Sequence, residues 1–531
     1  MTRFAFHDLL GSTAALKPDA PALSYKQLTL DYAAIHRSVR LVAADLQDAG
    51  VLRGDRVAIY LEKRPELVIA IFATSAAGGV FVPVNHVLKP PQVEHILTDC
   101  SARVLVTSRE RLGQLDDVPA RCGVEQVVVV GDGTNAVDGD RADGVRIREW
   151  VADRAHDDVH KDDRLQVRPG VDLDPAAILY TSGSTGRPKG VVLSHRNLIV
   201  GAESVSSYLG NTSDDVILSV LPLSFDAGLS QVTTAFAVGA HCVLMNYLLP
   251  AEVPKLCERH GVTGLTCVPP LWLQLAQVPW PAQTAHRLRY VANTGGRMPR
   301  HLLDRLRSVF SAADPYLMYG LTEAFRSTYL HPAQVDLRPD SIGKAIPNAE
   351  VLVLRPDGTE CAPGEEGELV HRGPLVALGY WNDPERTAER FRPIRRPGQD
   401  WRAPEFAVWS GDTVVADAEG YLYFVGRADD MIKTSGYRVS PTEIEEAVYA
   451  TGLVRDAVAF GVADDALGQR ILLVLTPSTC DFDVDDLLVL LRRRLPAYMV
   501  PRQVEVRTEL PRSPNGKFDR TLIRSEVGEL A

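Results

Sequence analysis

The sequence has few cysteines, none at metal-binding spacing, and no surplus of basic residues. Its 7 cysteines are scattered over 531 residues, and no two form a Cys-x-x-Cys pair. The odd number and the spacing exclude a zinc ribbon and a disulfide framework, and they favour reduced thiols in the cytoplasm. The formal net charge of −11 argues against a dedicated nucleic-acid-binding protein.

Unbroken apolar runs of membrane-spanning length are also missing. Residues 67–87 are interrupted by Gly78, Gly79 and Pro83, and residues 216–250 are interrupted by several glycines, prolines and one aspartate. A membrane-spanning helix needs about 20 mainly apolar residues without such breaks. We therefore predict buried core at both places, no membrane span, and no secretory signal at the N-terminus.

What is present is typical of a folded protein with several domains. Hydrophobic residues make up 45% of the chain and charged residues 24%. Residues 56–130 and 177–319 alternate apolar strands with helical patterns, which predicts mostly parallel sheets covered by helices. The Asp-rich residues 131–174 predict an exposed connection. Residues 343–425 have short strands between turn signals and predict a distorted β-barrel. The remaining residues, about 100 in number, predict a small α+β domain.

The strongest local signal is YTSGSTGRPKG at residues 180–190. Glycine lets backbone N–H groups approach phosphate oxygens, hydroxyl groups donate further hydrogen bonds, and a lysine adds positive charge. The alternative is a flexible glycine–serine turn, which such a long motif does not favour. The candidate phosphate-binding residues are Thr181, Ser182, Gly183, Ser184, Thr185, Gly186 and Lys189.

This motif differs from the P-loop of kinases and GTPases. That loop needs G-x-x-x-x-G-K-[ST] leading directly into a helix. Here Pro188 precedes the lysine, an apolar strand follows at residues 191–193, and the next helix begins only after Ser194, a good N-cap. The sequence therefore predicts a phosphate loop of a different architecture.

Five motifs in order make the chain resemble the AMP-forming adenylating superfamily of acyl-CoA synthetases, amino-acid adenylation domains and luciferases. They are YTSGSTGRPKG at 180–190, YGLTE at 319–323, WSGD at 409–412, GRADDMIK at 426–433 and PNGK at 514–517. The resemblance implies an α/β fold. Residues 1–427 would form two α/β subdomains and a β-barrel, and residues 428–531 a small mobile α+β domain. ATP and a carboxylate would give an acyl-adenylate and pyrophosphate, after which a phosphopantetheine thiol displaces AMP.

The resemblance also implies the nucleotide contacts. Tyr319 would pack on adenine, and Thr322 would lie beside the phosphates. Glu323 would hold Mg²⁺, since hard cations take carboxylate oxygens. Asp412 would bind the ribose hydroxyls through its two oxygens, with help from Arg427.

Further residues are assigned to the reaction steps by the same resemblance. Lys517 would be catalytic, because its ammonium can bridge the attacking carboxylate and the α-phosphate. Asp429 would be the hinge between two orientations of the C-terminal domain. In the orientation for thioester formation, Gly436 and Arg438 would line the tunnel for the thiol.

Asp226 is the only Asp, Glu, Lys or Arg in residues 216–250. A carboxylate in apolar surroundings is costly without a partner. Its position after Phe225 matches the amine-binding aspartate of amino-acid adenylation domains, so we predict that it holds a substrate ammonium, with Gly295 and Gly296 opposite. A backbone N–H or an arginine from elsewhere in the chain is the alternative partner.

Three functions remain open on the sequence alone. The preferred one is ligation of a small amino acid to the phosphopantetheine thiol of an acyl or peptidyl carrier protein, with ATP and Mg²⁺. The alternative is an acyl-CoA synthetase that acts on a carboxylic acid without an amino group. A non-catalytic nucleotide-binding protein is disfavoured by the intact Lys517, Glu323 and Asp412.

Overall fold

The computed structural model describes residues 3–131, 139–140, 144–151, 165–166, 170–181, 188–394, 398, 401, 403–427, 431–479, 481–511 and 518–528. Within these ranges no helix has both the length and the apolar character that crossing a membrane requires. The chain forms a mixed α/β fold, with a large N-terminal part and a small C-terminal part. This mixed fold agrees with the sequence prediction.

Helices and strands alternate through the first 210 positions. They are α1 Asp8–Leu16, β1 Pro21–Tyr25, β2 Leu28–Asp31, α2 Tyr32–Asp48, β3 Arg56–Tyr60, α3 Pro65–Ala76, β4 Val80–Pro83, α4 Pro90–Asp99, β5 Val104–Ser108, α5 Arg109–Leu115, α6 Val118–Arg121, β6 Gln126–Val130, β7 Gly139–Asp140, β8 Arg146–Glu149, β9 Pro175–Thr181, β10 Lys189–Ser194 and α7 His195–Tyr208.

The same alternation continues before the chain becomes rich in strands. The elements are β11 Val216–Ser219, α8 Asp226–Val238, β12 His241–Leu244, α9 Glu252–His260, β13 Gly264–Cys267, α10 Pro269–Leu275, α11 Ala282–Arg287, β14 Tyr290–Asn293, α12 Arg300–Val309, β15 Asp314–Tyr319, β16 Thr328–Leu330, β17 Ser341–Ala345, β18 Glu350–Leu354, β19 Glu366–Arg372, β20 Gly379–Tyr380, α13 Pro384–Arg390, β21 Phe391–Ile394, β22 Glu405–Ala416 and β23 Leu422–Arg427.

The C-terminal part is a separate α+β unit. Its elements are β24 Ile432–Thr434, β25 Tyr437–Val439, α14 Pro441–Tyr449, β26 Val454–Asp464, β27 Gly468–Pro477, α15 Val484–Arg494, β28 Gln503–Val506 and α16 Arg520–Gly528. Five strands form its sheet in the order β25, β24, β27, β26, with β28 on β27.

Two larger sheets build the N-terminal part. One has the order β20, β10, β9, β4, β3, β5, β6, β8, β7, and its central strands are parallel. The other runs β18, β19, β22, β23, β17, β16, β15, β14, β13, β11, β12, β1, β2, with β21 on β22. The β-rich segment therefore continues one of the α/β sheets through β17.

The core lies between these two sheets. Phe6, Phe72 and Phe81 pack beside Phe236 of α8, which connects β11 and β12 of the second sheet, and the Phe72 and Phe236 ring centroids are 5.3 Å apart. Phe residues bury a large apolar area, which is the main favourable contribution to folding. This shared core fixes the two sheets relative to one another, and the ends of their strands form the site described below.

The alternation of strands and helices predicted for residues 56–130 and 177–319 is confirmed, as is the small α+β domain at the C-terminal end. The predicted exposed connection at residues 131–174 is wrong for residues 145–150, whereas Val171 and Leu173 are exposed as predicted. Residues 146–149 form β8, which pairs in parallel with β6 along its whole length, and Trp150 after it is buried. The cause is a long-range strand pairing that the local Asp-rich composition does not reveal.

Candidate active site

The phosphate-loop motif spans the end of one strand and the start of the next. Thr181 closes β9 and pairs directly with Lys189 at the start of β10 in an antiparallel ladder. His95 Nε2 donates a hydrogen bond to the Pro188 carbonyl at 2.9 Å, which fixes the point where the chain enters β10. The predicted loop residues Ser182, Gly183, Ser184, Thr185 and Gly186 lie outside the described residues.

The chain after the loop follows the predicted architecture. Lys189 begins a strand, and helix α7 begins after Ser194, whose hydroxyl accepts a hydrogen bond from the Asn197 N–H. The Asn197 side chain in turn accepts from the Ser194 N–H at 2.7 Å, which completes a capping box. The lysine is thus the first residue of a strand, unlike the lysine of a kinase P-loop, which leads into a helix.

Lys189 meets two groups from distant parts of the chain. Its Nζ donates to the Tyr380 hydroxyl at 2.6 Å and to Glu323 Oε1 at 3.1 Å, and the Tyr380 hydroxyl donates to the same Glu323 oxygen at 2.7 Å. Glu323 is buried in a short 3₁₀ turn that follows β15. Lys189 and Glu323 were predicted from their motifs, but Tyr380 was not, because an aromatic residue in an apolar strand carries no functional signal.

The charges around Glu323 keep it ionised. Burial alone would raise its pKa, but the positive charges of Lys189 and Arg438 and the hydrogen bond from Tyr380 outweigh burial and hold the pKa well below its usual value. Burial also lowers the pKa of Lys189, against the opposing effect of Glu323. Each member of the pair thus favours the charged form of the other against the effect of burial.

Glu323 fits the predicted magnesium contact only when phosphates are present. In the part of the chain that the structure describes, no three His, Cys, Asp or Glu side chains converge on a metal-binding group. Mg²⁺ in nucleotide sites is usually bound by one or two carboxylates together with substrate phosphates and water. A single ionised glutamate beside a phosphate loop matches that donor set, and the bound ion would neutralise phosphate charge.

The two predicted nucleoside contacts lie side by side. The Tyr319 hydroxyl donates to Asp412 Oδ2, and Asp412 is buried in β22. Asp412 pairs in register with Arg427 of β23, whose side chain lies outside the described residues. Tyr319 is the last residue of β15, and Thr322 and Glu323 lie in the short 3₁₀ turn that follows, so the end of one strand positions all three predicted contacts.

The predicted amine-binding carboxylate has partners within the protein. Thr322 Oγ1 donates to Asp226 Oδ1 at 3.3 Å. Burial raises the pKa of Asp226, and the nearby charge of Arg326 acts in the opposite direction. Both a hydroxyl group and an arginine from elsewhere thus accompany Asp226. Only the Thr322 hydroxyl contacts the carboxylate, while Arg326 acts on it through its charge, without a hydrogen bond or ion pair. A substrate ammonium is therefore not required to explain this carboxylate.

The glycines near the predicted substrate position have packing roles. A Cβ on Gly295, which has a φ of 74°, would lie 3.1 Å from Val268 Cγ1, and one on Gly296 would lie 3.2 Å from Pro269 Cγ. A Cβ on Gly228 would lie 2.0 Å from the Pro222 carbonyl oxygen. Gly228 therefore permits a close contact within its own segment and leaves no room for substrate.

A loop of the C-terminal part reaches this site. A Cβ on Gly436, which has a φ of 81°, would lie only 2.8 Å from Val268 Cγ2. The Tyr437 ring stacks on Tyr498 at 3.8 Å and meets the edge of Phe225 at 5.6 Å. A narrow cavity between the two parts is lined by residues that include Tyr180, Thr181, Ser224, Phe225, Arg438 and Tyr498.

Gly436 and Arg438 therefore lie at the contact between the two parts of the chain, and their role in a tunnel for the thiol stays a prediction. The charge of Arg438 acts on both Glu323 and Lys189, so the C-terminal loop contributes to the electrostatics of the phosphate end. The hinge residue Asp429 and the catalytic candidate Lys517 lie outside the described residues. Their predicted roles rest on the motifs alone.

Glu323→Gln should lower the rate of acid-dependent ATP–pyrophosphate exchange by about 10²–10³-fold, the usual cost of losing one electrostatic group in a preorganised site. The amide cannot match the charge of Lys189 or donate an anionic oxygen to a nucleotide-bound cation. Glu365→Gln is the control, because Glu365 pairs with Arg355 on the surface. Exchange at the wild-type rate in a folded Glu323→Gln variant would remove Glu323 from the site.

Comparison with known proteins finds two matching families along the chain. The family of AMP-binding enzymes matches residues 10–381, and the AMP-binding enzyme C-terminal domain matches residues 443–517. The two matches lie in the N-terminal and C-terminal parts of the structure, respectively.

Several enzymes are similar over nearly the whole chain. A feruloyl-CoA synthase from Amycolatopsis sp. is 32% identical over 523 residues, which cover 97% of this chain and 97% of that enzyme. A long-chain-fatty-acid–CoA ligase from Salmonella typhimurium is 30% identical over 544 residues, which cover 98% of this chain and 94% of that enzyme. The structure of o-succinylbenzoate CoA synthetase from Bacillus subtilis has a TM-score of 0.81 and 25% identity over 97% of this chain and 98% of its own.

Proposed function

Because the chain belongs to the AMP-binding enzyme family, we propose that it is an acyl-CoA ligase. In the first half-reaction a carboxylate oxygen of the acid attacks the α-phosphorus of ATP, and the bond to pyrophosphate breaks. In the second, the CoA thiol attacks the acyl carbon, loses its proton and releases AMP. An AMP-forming ligase that joins an acid to a thiol is what the family and its near-full-length relatives support.

The docked position of Gly436 is the observation that carries the thiol step. The cavity between Phe225 and Tyr498 runs beside Thr181 and Arg438, next to the cluster of Lys189 and Glu323. The thiol of a phosphopantetheine group, which is long and narrow, would need such a passage between the two parts of the chain. The docked C-terminal loop thus supports transfer to a phosphopantetheine thiol over hydrolysis of the adenylate.

CoA is favoured over a carrier protein as the thiol donor. The similar enzymes named above all form CoA thioesters by name. Asp226, which had suggested an amino acid loaded onto a carrier, has Thr322 and Arg326 as neighbours within the protein. Acyl-CoA synthesis, the alternative on the sequence alone, is therefore preferred over ligation of an amino acid to a carrier protein.

The chain's own residues divide the work between nucleotide and acid. Asp412 and Tyr319 hold the nucleoside end, and Lys189 and Glu323 balance charge at the phosphate end. Mg²⁺ bound at Glu323 would neutralise phosphate charge. Lys517 would stabilise the charge that develops as carboxylate and α-phosphate meet. We place the boundary of the mobile domain at residues 427–428 and its hinge at Asp429.

The enzyme should release AMP and pyrophosphate, not ADP, and should form an acyl-CoA detectable by mass spectrometry. The test incubates it with ATP, Mg²⁺, CoA and a panel of short, aryl and long-chain acids, with amino acids included. Lys517→Ala should abolish acid-dependent pyrophosphate exchange. A phosphopantetheinylated carrier protein offered in place of CoA is the second arm. Thioester on the carrier alone, or release of ADP, would contradict the proposal.

A further inference from the structure

A buried arginine in the segment that follows Glu323 has unused hydrogen-bonding capacity. Arg326 is 3% exposed, and its Nη1 donates to the Thr294 hydroxyl. Its Nε is fully buried and has no hydrogen-bond partner, and no carboxylate of the described residues lies within ion-pair distance of the guanidinium. A buried guanidinium normally has its charge paired and its N–H groups bonded, since leaving them unmet is costly.

The position of Arg326 is built by its neighbours. The preceding Phe325 adopts a left-handed φ of 56°, and its ring packs so closely on helix α7 that a Cβ on Gly201 would lie 2.6 Å from it. A non-glycine residue in this conformation is held there only by its surroundings. Thr294, at the end of β14, then anchors the guanidinium. The arginine is thus fixed on both sides.

Asp226 lies near this arginine without touching it. The charge of Arg326 lowers the pKa of Asp226 against the larger raising effect of burial, but the two side chains form no hydrogen bond or ion pair in the structure. Asp226 instead accepts from Thr322, the residue that precedes Glu323. A hydrogen-bond donor and an acceptor of opposite charge therefore flank the same region beside the phosphate cluster.

We propose that Arg326 and Asp226 together bind a hydroxyl group of the acid substrate, so that the enzyme is specific for a hydroxy acid. This assignment rests on the proposed function. A hydroxyl oxygen accepts from Arg326 Nε while its proton is donated to Asp226, which pairs both groups with no added charge. A substrate ammonium group would be repelled by the arginine, and a second substrate carboxylate would be repelled by the aspartate. A plain hydrocarbon chain would leave both side chains without a hydrogen-bond partner in the substrate.

Matched acids test this assignment on the wild-type enzyme. Butyrate, 3-hydroxybutyrate, 3-aminobutyrate and succinate form one series, lactate and propionate a second, and mandelate and phenylacetate a third. We expect kcat/KM in pyrophosphate exchange to favour the hydroxy acid over its plain analogue by about 10²-fold or more in at least one series. A site built to bind a hydroxyl group rejects analogues that lack it strongly, because its own polar groups are left unpaired.

Arg326→Met should reduce that preference to about threefold or less. Arg307→Met is the control, since Arg307 pairs with Asp336 at the surface away from this pair. Thr294→Val, which removes only the anchor, should lower the preference partly, and it serves if Arg326→Met does not fold. Calorimetric binding of hydroxyacyl and plain acyl sulfamoyl-adenosines measures the same preference without turnover.

Each other outcome has a distinct meaning. Preference for the plain acid, for 3-aminobutyrate or for succinate would overturn the assignment, as would a hydroxy-acid preference that survives in a folded Arg326→Met variant. In all of these cases acyl-CoA would still form. Absence of acid-dependent exchange and of acyl-CoA with every acid would instead count against the proposed function, while the sulfamoyl-adenosines would still report on Arg326.

Discussion

Gly436→Leu should stop thioester formation while pyrophosphate exchange continues near the wild-type rate. Any Cβ at this position would approach Val268 Cγ2 to 2.8 Å, so a side chain here blocks the contact between the C-terminal loop and the N-terminal part. Overpacking typically costs about 1–3 kcal/mol, and the left-handed φ adds about 1–2 kcal/mol of strain. Together they amount to about 2–5 kcal/mol, a loss of about 30-fold to a few thousand-fold in the second half-reaction.

Gly452→Leu is the matched control for this experiment. Gly452 has a similar φ of 73° in the same part of the chain, but a Cβ there meets nothing within 4 Å. It therefore carries the backbone strain without the collision. Acyl transfer from a supplied acyl-adenylate to CoA and pyrophosphate exchange are measured for both variants. If the two variants behave alike, or if Gly436→Leu loses both half-reactions equally, the docked loop is not specific to thioester formation.

Lys63→Met should raise the stability of the protein near neutral pH. Lys63 is 4% exposed, and the only hydrogen bond of its side chain in the described structure goes from Nζ to the Ser219 carbonyl at 2.8 Å. Burial lowers its pKa to about 7. Because the unfolded state has the ordinary, higher lysine pKa, it binds more protons between about pH 7 and pH 10, so this residue's penalty is complete below pH 7 and fades as the pH rises.

The expected gain follows from the size of the shift. Each unit by which the pKa is lowered corresponds to about 1.4 kcal/mol of destabilisation that the substitution removes. The loss of the hydrogen bond to Ser219 offsets about 1 kcal/mol of this gain. A net rise in the free energy of unfolding of about 2–4 kcal/mol at pH 7 is therefore expected, shrinking toward pH 10. Thermal unfolding across this pH range measures it, with the exposed Lys255→Met as control. A variant that is less stable at every pH would mean that the ammonium has a stabilising partner in the fold.

The strands and helices could be predicted because their signals are local. The valine run of β6 and the Ser194 cap of α7 carry their structure in neighbouring residues. Strand β8 could not be predicted, because it is formed by parallel pairing with β6, which is distant in the sequence. The same limit applies to its neighbour Trp150, which is buried although the surrounding composition is polar.

The site was predictable to the extent that motifs mark it. Lys189, Glu323 and Asp412 were found from short motifs, and the structure brings the first two together. Tyr380 completes that cluster from 57 residues beyond Glu323, and only the fold shows that it does. The neighbours of Asp226 were undecidable on the sequence for the same reason, since its hydrogen-bond donor Thr322 lies 96 residues further along the chain and the charge that acts on it, Arg326, lies 100 residues further.

The contact between Tyr319 and Asp412 also constrains how this chain can change in evolution. The two residues lie on β15 and β22, which are joined through three intervening strands, β16, β17 and β23. Moving any of these pairings by one residue would turn the side chains of the shifted strand to the opposite face of the sheet. Insertions and deletions that preserve nucleotide binding must therefore fall in the turns of this segment, such as residues 355–365, and the strand lengths between Tyr319 and Asp412 should be inherited as a unit.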